Sequence, residues 1–438
     1  MIGKPIQYQP MSQLEVDDAC RKHEFLMNGR MGGARANFSY KILKGLDLSG
    51  RNLADADLSG AILEGTNFSG ANLTRATIFA ADMRQANLSG AVLHRADMRG
   101  VILRGADLTG ADLSQADLRE GAIAQVDREK GLAVITHEQR PGEASEARFK
   151  GANLSQTKMT GAVAQSSDFT DAVLIGARLT RANLRGSRFP GANLQGADLY
   201  GADLSDADMR DCVLIGAKTD MAQFQRANME GALRDAPPPE IADPGGETAK
   251  ALDRHARWCE TGGAEGEPST FNDKDLRGLK SLAGRNLTAL QARNAILYGL
   301  DMEGVELQGA KLSGADLRMA SLRGADLRGA DLKGAKLNNA DLREVQLGPL
   351  GLPNDRLLAA SIAEACLRYA DLSGADLHHL NAEGADMSFA RLHGADARKA
   401  VFTRALFTGA KLGANFTKTV EDLTDAIDIN AACQSALA

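Results

Sequence analysis

The chain repeats every five residues, a period that belongs to neither helix nor strand. Counted from Leu48 in steps of five, the centres are Leu53, Leu58, Leu63, Phe68, Leu73, Ile78, Met83, Leu88, Leu93, Met98, Leu103, Leu108, Leu113 and Leu118. Backward, the register reaches Leu43 and Phe38. Two residues before most centres stands an alanine, as at Ala56, Ala61, Ala71 and Ala86, and the residue between is commonly Asp or Asn, as at Asp57, Asn67 and Asn72. Side chains recur at 3.6 residues on a helix face and at 2.0 on a strand face, so a period of five fits neither. It suits a chain that turns a corner in every unit, with one large and one small apolar side chain facing an axis. Stacked coils then bury a column that no single coil could bury. Ser49-Gly50, Ser69-Gly70, Ser89-Gly90 and Thr109-Gly110 recur every twenty residues, the spacing of four units per coil. Only 4% of the 438 residues are aromatic and 46 are glycine, so the core must be filled by small, regular side chains.

The pattern Ala-Asp-Leu-x-Gly, as in Gly105-Ala-Asp-Leu-Thr-Gly-Ala-Asp-Leu113, resembles the pentapeptide-repeat proteins. The resemblance covers 38–118, 147–231, 271–347 and 360–416. It implies an all-β chain folded as a right-handed, four-sided parallel β-helix, with the central Leu or Phe and the preceding Ala inside.

Breaks in the register divide the chain. After Leu118 come Ala122–Val126 and Leu132–Thr136, two β-prone runs around the polar turn Asp127–Gly131, which predict a hairpin. The repeat returns at Phe149, giving a hairpin insertion at 119–146, and continues to Met229. Ala164 and Thr219 occupy central slots weakly; the first predicts thinner packing, and the second needs a hydrogen-bond partner if buried. The Pro/Gly-rich run 234–247 predicts a linker, and Thr248–Cys259 a short helix ended by Gly262-Gly263.

This second beginning copies the first. His23 precedes Gly32-Gly33 and Phe38, as His255 precedes Gly262-Gly263 and Phe271. Gly-Arg-Asn-Leu follows in both, at Gly50–Leu53 and Gly284–Leu287. Asp-Leu-Arg-Glu stands near a break in both, at Asp117–Glu120 and Asp341–Glu344. An internal duplication accounts for all three. The expected organisation is an N-terminal region with a capping helix (1–37) and a first solenoid (38–233). After the linker come a second capping helix (248–270), a second solenoid (271–416) with a loop insertion at 348–359, and a tail (417–438). Phe25, Leu26 and Trp258 are expected to cover the first coils, because a solenoid end exposes unpaired backbone and apolar side chains. The tail is expected to close the other end or to mediate self-association.

Chemistry is sparse. The five cysteines, Cys20, Cys212, Cys259, Cys366 and Cys433, lack metal-ligand spacing and do not suggest a disulfide framework. His378-His379 and His393 lie three repeats apart and so on different faces, which argues against metal ligation. No phosphate-binding glycine motif occurs. Neither catalytic residues nor a cofactor or metal is expected, and the chain is read as not an enzyme. No apolar run spans a membrane, and Met1–Leu14 lacks the features of a signal peptide, so a cytoplasmic location is expected. Net charge is only −6, and Arg318, Arg323, Arg328 and Lys333 follow successive centres as a collar interleaved with Asp. That mixture argues against direct nucleic-acid binding.

The expected function is a protein-interaction scaffold that recognises a partner of unknown identity through its faces and its insertion. The candidate interaction residues are Ile123, Val126, Arg128, Lys130, Leu132, Val134 and Ile135. A homodimer through a solenoid end or the tail is a further expectation. Some pentapeptide-repeat proteins protect DNA gyrase by imitating duplex DNA. The resemblance therefore carries an alternative, a DNA-mimicking modulator of a type II topoisomerase, although the outward Asp residues here alternate with Arg.

Overall fold

A computed structural model describes residues 8–121, 125–127, 131–133, 141–235, 246–279, 281–413 and 416–429. The chain divides into two compact units, Met1–Asp235 and Ala236–Ala438. The first contains β1 (Gln9–Pro10), α1 (Gln13–Met27), β2 (Lys41–Ile42), β3 (Gln125–Asp127) and β4 (Gly131–Ala133). The second contains α2 (Glu247–Glu260), β5 (Leu350–Leu352), β6 (Arg356–Leu358), β7 (Arg391–Leu392), β8 (Lys411–Leu412) and α3 (Phe416–Thr419).

Most of the β structure is a ladder of single parallel bridges. Asn67 pairs with Asn87, Asn87 with Asp107, and almost every bridge outside the insertions joins residues twenty apart. One coil is therefore four five-residue units. The N–H of Leu88 donates to the carbonyl of Asp107 one coil on (2.6 Å), and the N–H of Ala91 closes the bend onto the carbonyl of Leu88 (3.0 Å). The residue before that alanine has positive φ, 65° at Gly90 and 56° at Gln85. Glycine meets no steric penalty in that region, and this explains its frequency there.

The centres from Phe38 to Met98 are fully buried, and the alanines beside them are 0–2% exposed. Phe149, Phe169 and Phe189 stack at 4.8 Å with 3° between ring planes, the strand-to-strand spacing of a β-sheet. Where Ser or Thr replaces the inward alanine, its hydroxyl donates to a backbone carbonyl, as from Thr66 to Leu43 (2.7 Å) and Ser187 to Ala164 (2.6 Å). The Asp or Asn in mid-unit has its own task. Its Oδ1 accepts the N–H two residues on, as between Asn87 and Ser89 (3.1 Å), satisfying an outward donor that a corner leaves unpaired.

Each unit starts under a helix. In α1 the buried residues are Val16, Cys20 and His23, at i, i+4 and i+7 on one face. In α2 they are Leu252 and His255. Phe25 and Trp258 are only half-buried and Leu26 is 46% exposed, so the expected aromatic cover is replaced by smaller side chains and a histidine. The duplicated motifs meet at these contacts. His23 Nε2 lies 2.8 Å from the carbonyl of Ala54, the residue after Gly50–Leu53. His255 Nε2 lies 3.1 Å from the carbonyl of Thr288, the residue after Gly284–Leu287. The arginines of the two motifs pair with the helices as well, Arg51 with Asp17 (2.8 Å) and Arg285 with Asp253 (2.7 Å).

The insertions change the register without ending it. Across the first, Asp117 pairs with Lys158, 41 residues on; across the second, Gln346 pairs with Asp376, 30 on. The repeat resumes at Glu143–Ala144, one unit before Phe149, so the first insertion is shorter than 119–146. Ala144 is 1% exposed and holds the central slot. Thr219 needs no buried partner, because it is exposed in the last coil of its unit.

Candidate interaction surface

Both insertions form antiparallel hairpins. In the first, β3 and β4 pair Gln125 with Ala133, Val126 with Leu132 and Asp127 with Gly131. Of the candidate residues, Val126 and Leu132 are thus backbone partners in the ladder, while Ile123, Arg128, Lys130, Val134 and Ile135 lie outside the described residues. In the second, β5 and β6 pair Leu350 with Leu358 and Leu352 with Arg356, where the sequence predicts a loop. This hairpin seats on its own coils. A Cβ at Gly329 would lie 2.7 Å from Leu350 and 3.2 Å from Leu358, so glycine at that corner makes room for the two leucines. Leu357, between them, is 62% exposed.

Beside the first insertion lies an open recess of about 760 Å³, bounded by Arg95, Asp97, Arg99, Gln115, Asp117, Gln156, Lys158 and Arg178. One wall is a hydrogen-bonded ladder along a corner: Arg95 Nε donates to Gln115 (2.7 Å), and Gln115 donates to Gln156 (3.2 Å). The other is the column Asp97, Asp117, Lys158 and Arg178, joined by successive bridges. Arg99 grips Asp97 with two nitrogens, each at 2.8 Å, and Arg119 grips Asp117 at 2.9 and 2.6 Å. Partial burial raises the pKa of Asp117, but the hydrogen bonds and charge of Arg119, with Lys158 nearby, hold the carboxyl below its ordinary value. Its bond to Asp97 raises Arg99 in turn.

The same two-residue fork recurs over the repeat surface, at Asp208–Arg210, Asp326–Arg328, Asp341–Arg343 and Asp396–Arg398. The expected collar is paired too: Arg323 reaches Glu344 at 3.2 Å, and Lys333 reaches Glu364 at 3.3 Å. His378 lies against Asp376 on one face, and among the described residues no cluster of His, Cys, Asp and Glu could hold a metal ion. No described helix is long and apolar enough to cross a membrane.

The repeat profile described as pentapeptide repeats matches 42–119, 147–231, 286–344 and 357–420, well over half of the chain. The chain belongs to the pentapeptide repeat family. No curated protein matches it in sequence. Among solved structures, it is similar to QnrB1, a plasmid-mediated fluoroquinolone resistance protein, with 19% identity over 49% of this chain and 92% of that one and a TM-score of 0.24. HetL, a pentapeptide repeat protein involved in heterocyst differentiation regulation in the cyanobacterium Nostoc, aligns at 22% identity over 92% of both chains with a TM-score of 0.13. A pentapeptide repeat protein of the Arabidopsis thaliana thylakoid lumen aligns at 26% identity over 36% of this chain and 77% of that one, with a TM-score of 0.15. The family assignment rests on the repeats themselves.

The residues around the recess escape a reading of the sequence because the insertion separates them. Arg95 and Arg99 come before it, Lys158 and Arg178 after it. Only the 41-residue step of the ladder puts Lys158 next to Asp117.

Proposed function

We propose that this chain is a non-enzymatic, cytoplasmic protein-interaction scaffold whose main contact point is the first hairpin. Each unit is read as a right-handed, four-sided solenoid, closed at its start by α1 or α2. The observation that carries the proposal is the contrast between wall and insertion. Forks such as Asp97–Arg99 and Asp326–Arg328 pair wall charges with each other, whereas the hairpin interrupts a regular ladder next to an open recess. Loops held by a rigid scaffold commonly carry recognition. The forks also weigh against DNA mimicry, which needs a continuous acidic face. Replacing residues 122–140 by a short Gly/Ser link should leave the β-rich fold intact and abolish partner capture from the native cell. Undiminished capture would move the contact elsewhere.

A second reading, self-association, has its own support. In the last coil of the first unit, Thr219 is exposed and Phe224 and Met229 are only half-buried. The N–H groups of these three residues donate to no acceptor among the described residues. An apolar cross-section rimmed by open donors suits a second copy of the same end.

A further inference from the structure

We propose that the recess beside the first hairpin binds an acidic protein segment, an extended stretch rich in Glu and Asp, so that it would give the proposed scaffold the chemistry of its partner. The inference rests on the interaction reading but on different residues, all of them described and all in the first unit. Around the recess stand five cations, Arg95, Arg99, Arg119, Lys158 and Arg178, against two carboxylates, Asp97 and Asp117. The carboxylates are already paired. Asp97 is held through both oxygens by Arg99, and Asp117 by Arg119. Among the described residues, Arg95, Lys158 and Arg178 form no ion pair. Arg95 donates among these residues through its Nε alone, to Gln115, with its two terminal nitrogens available to donate outward. Lys158 and Arg178 are bridge partners on adjacent coils, and neither forms an ion pair among the described residues. Like charges opposite each other on neighbouring strands destabilise a sheet. A carboxylate placed between them would relieve that repulsion.

The geometry favours a carboxylate-bearing chain over a phosphate backbone. A phosphate track gains from uninterrupted positive charge, and here two carboxylates sit among the cations. A protein segment can place its own carboxylates at Arg95, Lys158 and Arg178 and leave the neutralised forks beneath. Arg95 is held by the Gln115–Gln156 ladder before any ligand arrives, so little ordering remains to be done on binding. Gly176, at the corner after Gln156 in the same row, adds no side chain to block entry. The surrounding chain is net negative, so this local excess of positive charge also gives an acidic segment a direction of approach.

The test uses the full-length protein and a fluorescent peptide of alternating Glu and Gly, with a duplex DNA of similar charge as the competing probe. The peptide should bind at low salt and weaken as salt rises. Changing Arg95→Glu and Arg178→Glu together should cut affinity about tenfold or more, with the far-UV spectrum unchanged because both side chains are exposed. A protein lacking 122–140 should still bind the peptide, which separates this surface from the hairpin. Failure of the peptide to bind, equal binding by the charge-reversed variant, or tighter binding of the DNA would each overturn the proposal.

Discussion

In the first unit Leu233 still pairs beyond Leu214, but the column runs out at Thr219, Phe224 and Met229, whose N–H groups meet no acceptor among the described residues. In the second it runs out at Phe402, Phe407 and Leu412, and there α3 adds one more ring. Phe416 is 4% exposed and lies 5.4 Å from the ring of Phe402 and 6.0 Å from that of Phe407. Val420, Leu423, Ala426 and Ile429 pack beside it. Asp422 pairs with Val401 and takes hydrogen bonds from Thr424 and Thr403 that hold its pKa at about 2. The two columns are built alike in their repeats, and their last coils are covered differently. One end is sealed by its own chain. The other keeps an apolar face and, among the described residues, free backbone donors.

The largest effect that would expose this difference is on stability. Phe416→Asp should cost about 3–5 kcal/mol, because it leaves a charge in a closed apolar site. Phe224→Asp, at a half-exposed site, should cost less than about 1 kcal/mol. Urea unfolding of the two variants measures both, and equal losses would mean that the ends are not different. Next in size is an effect on association. If the open end pairs with its copy, sedimentation velocity should show a concentration-dependent dimer that disappears in a Phe224→Asp, Met229→Asp double variant. A wild-type monomer at high concentration would remove self-association from the reading.

The smallest effect concerns the opposite ends, where the helices sit. Ser269 donates its N–H to His255 Nδ1 (3.1 Å), so the ring proton is on Nε2, toward Thr288. Burial, more than these bonds, determines the shift and lowers the pKa of the imidazole. A lowered histidine pKa means that the unfolded form binds its proton first as pH falls. The docking of α2 should therefore be intact above about pH 6.5, the unperturbed value, and weaken below it. Hydrogen exchange of 247–260 between pH 7.5 and 5.5, corrected for intrinsic rates, should show protection falling. Constant protection would mean that protonation does not reach this contact.

The column itself is readable from the chain because burial selects one large side chain every fifth residue. It becomes unreadable where the inward residue is small. Ala144 fills a central slot that nothing in the sequence distinguishes from an ordinary alanine, and the first insertion reads too long in the sequence for that reason. The caps mislead in another way. Phe25, Leu26 and Trp258 are the largest apolar residues near the ends, yet the faces toward the coils carry Val16, Cys20 and Leu252. Helical spacing, not size, decides which residues face inward. His23 and His255 can be matched by sequence, but their partners, the carbonyls of Ala54 and Thr288, have no side-chain signature. The recess is out of reach of the sequence because its residues come together only through the ladder register.

The stacked phenylalanines have a consequence for how such a chain can change. Successive coils advance by a fixed step of 4.8 Å where the rings of Phe149, Phe169 and Phe189 stack within 3° of parallel. Within a unit, the separation of two outward groups in one row is thus a whole number of coils times one fixed step. The solenoid behaves as a ruler. Adding or deleting twenty residues between Ala144 and Leu214 would change how far Ala144 stands from the open end by a single graduation. Gene segments of this size could be gained or lost without refolding the parts they separate, and the distance between two binding points would be a heritable quantity set by counting.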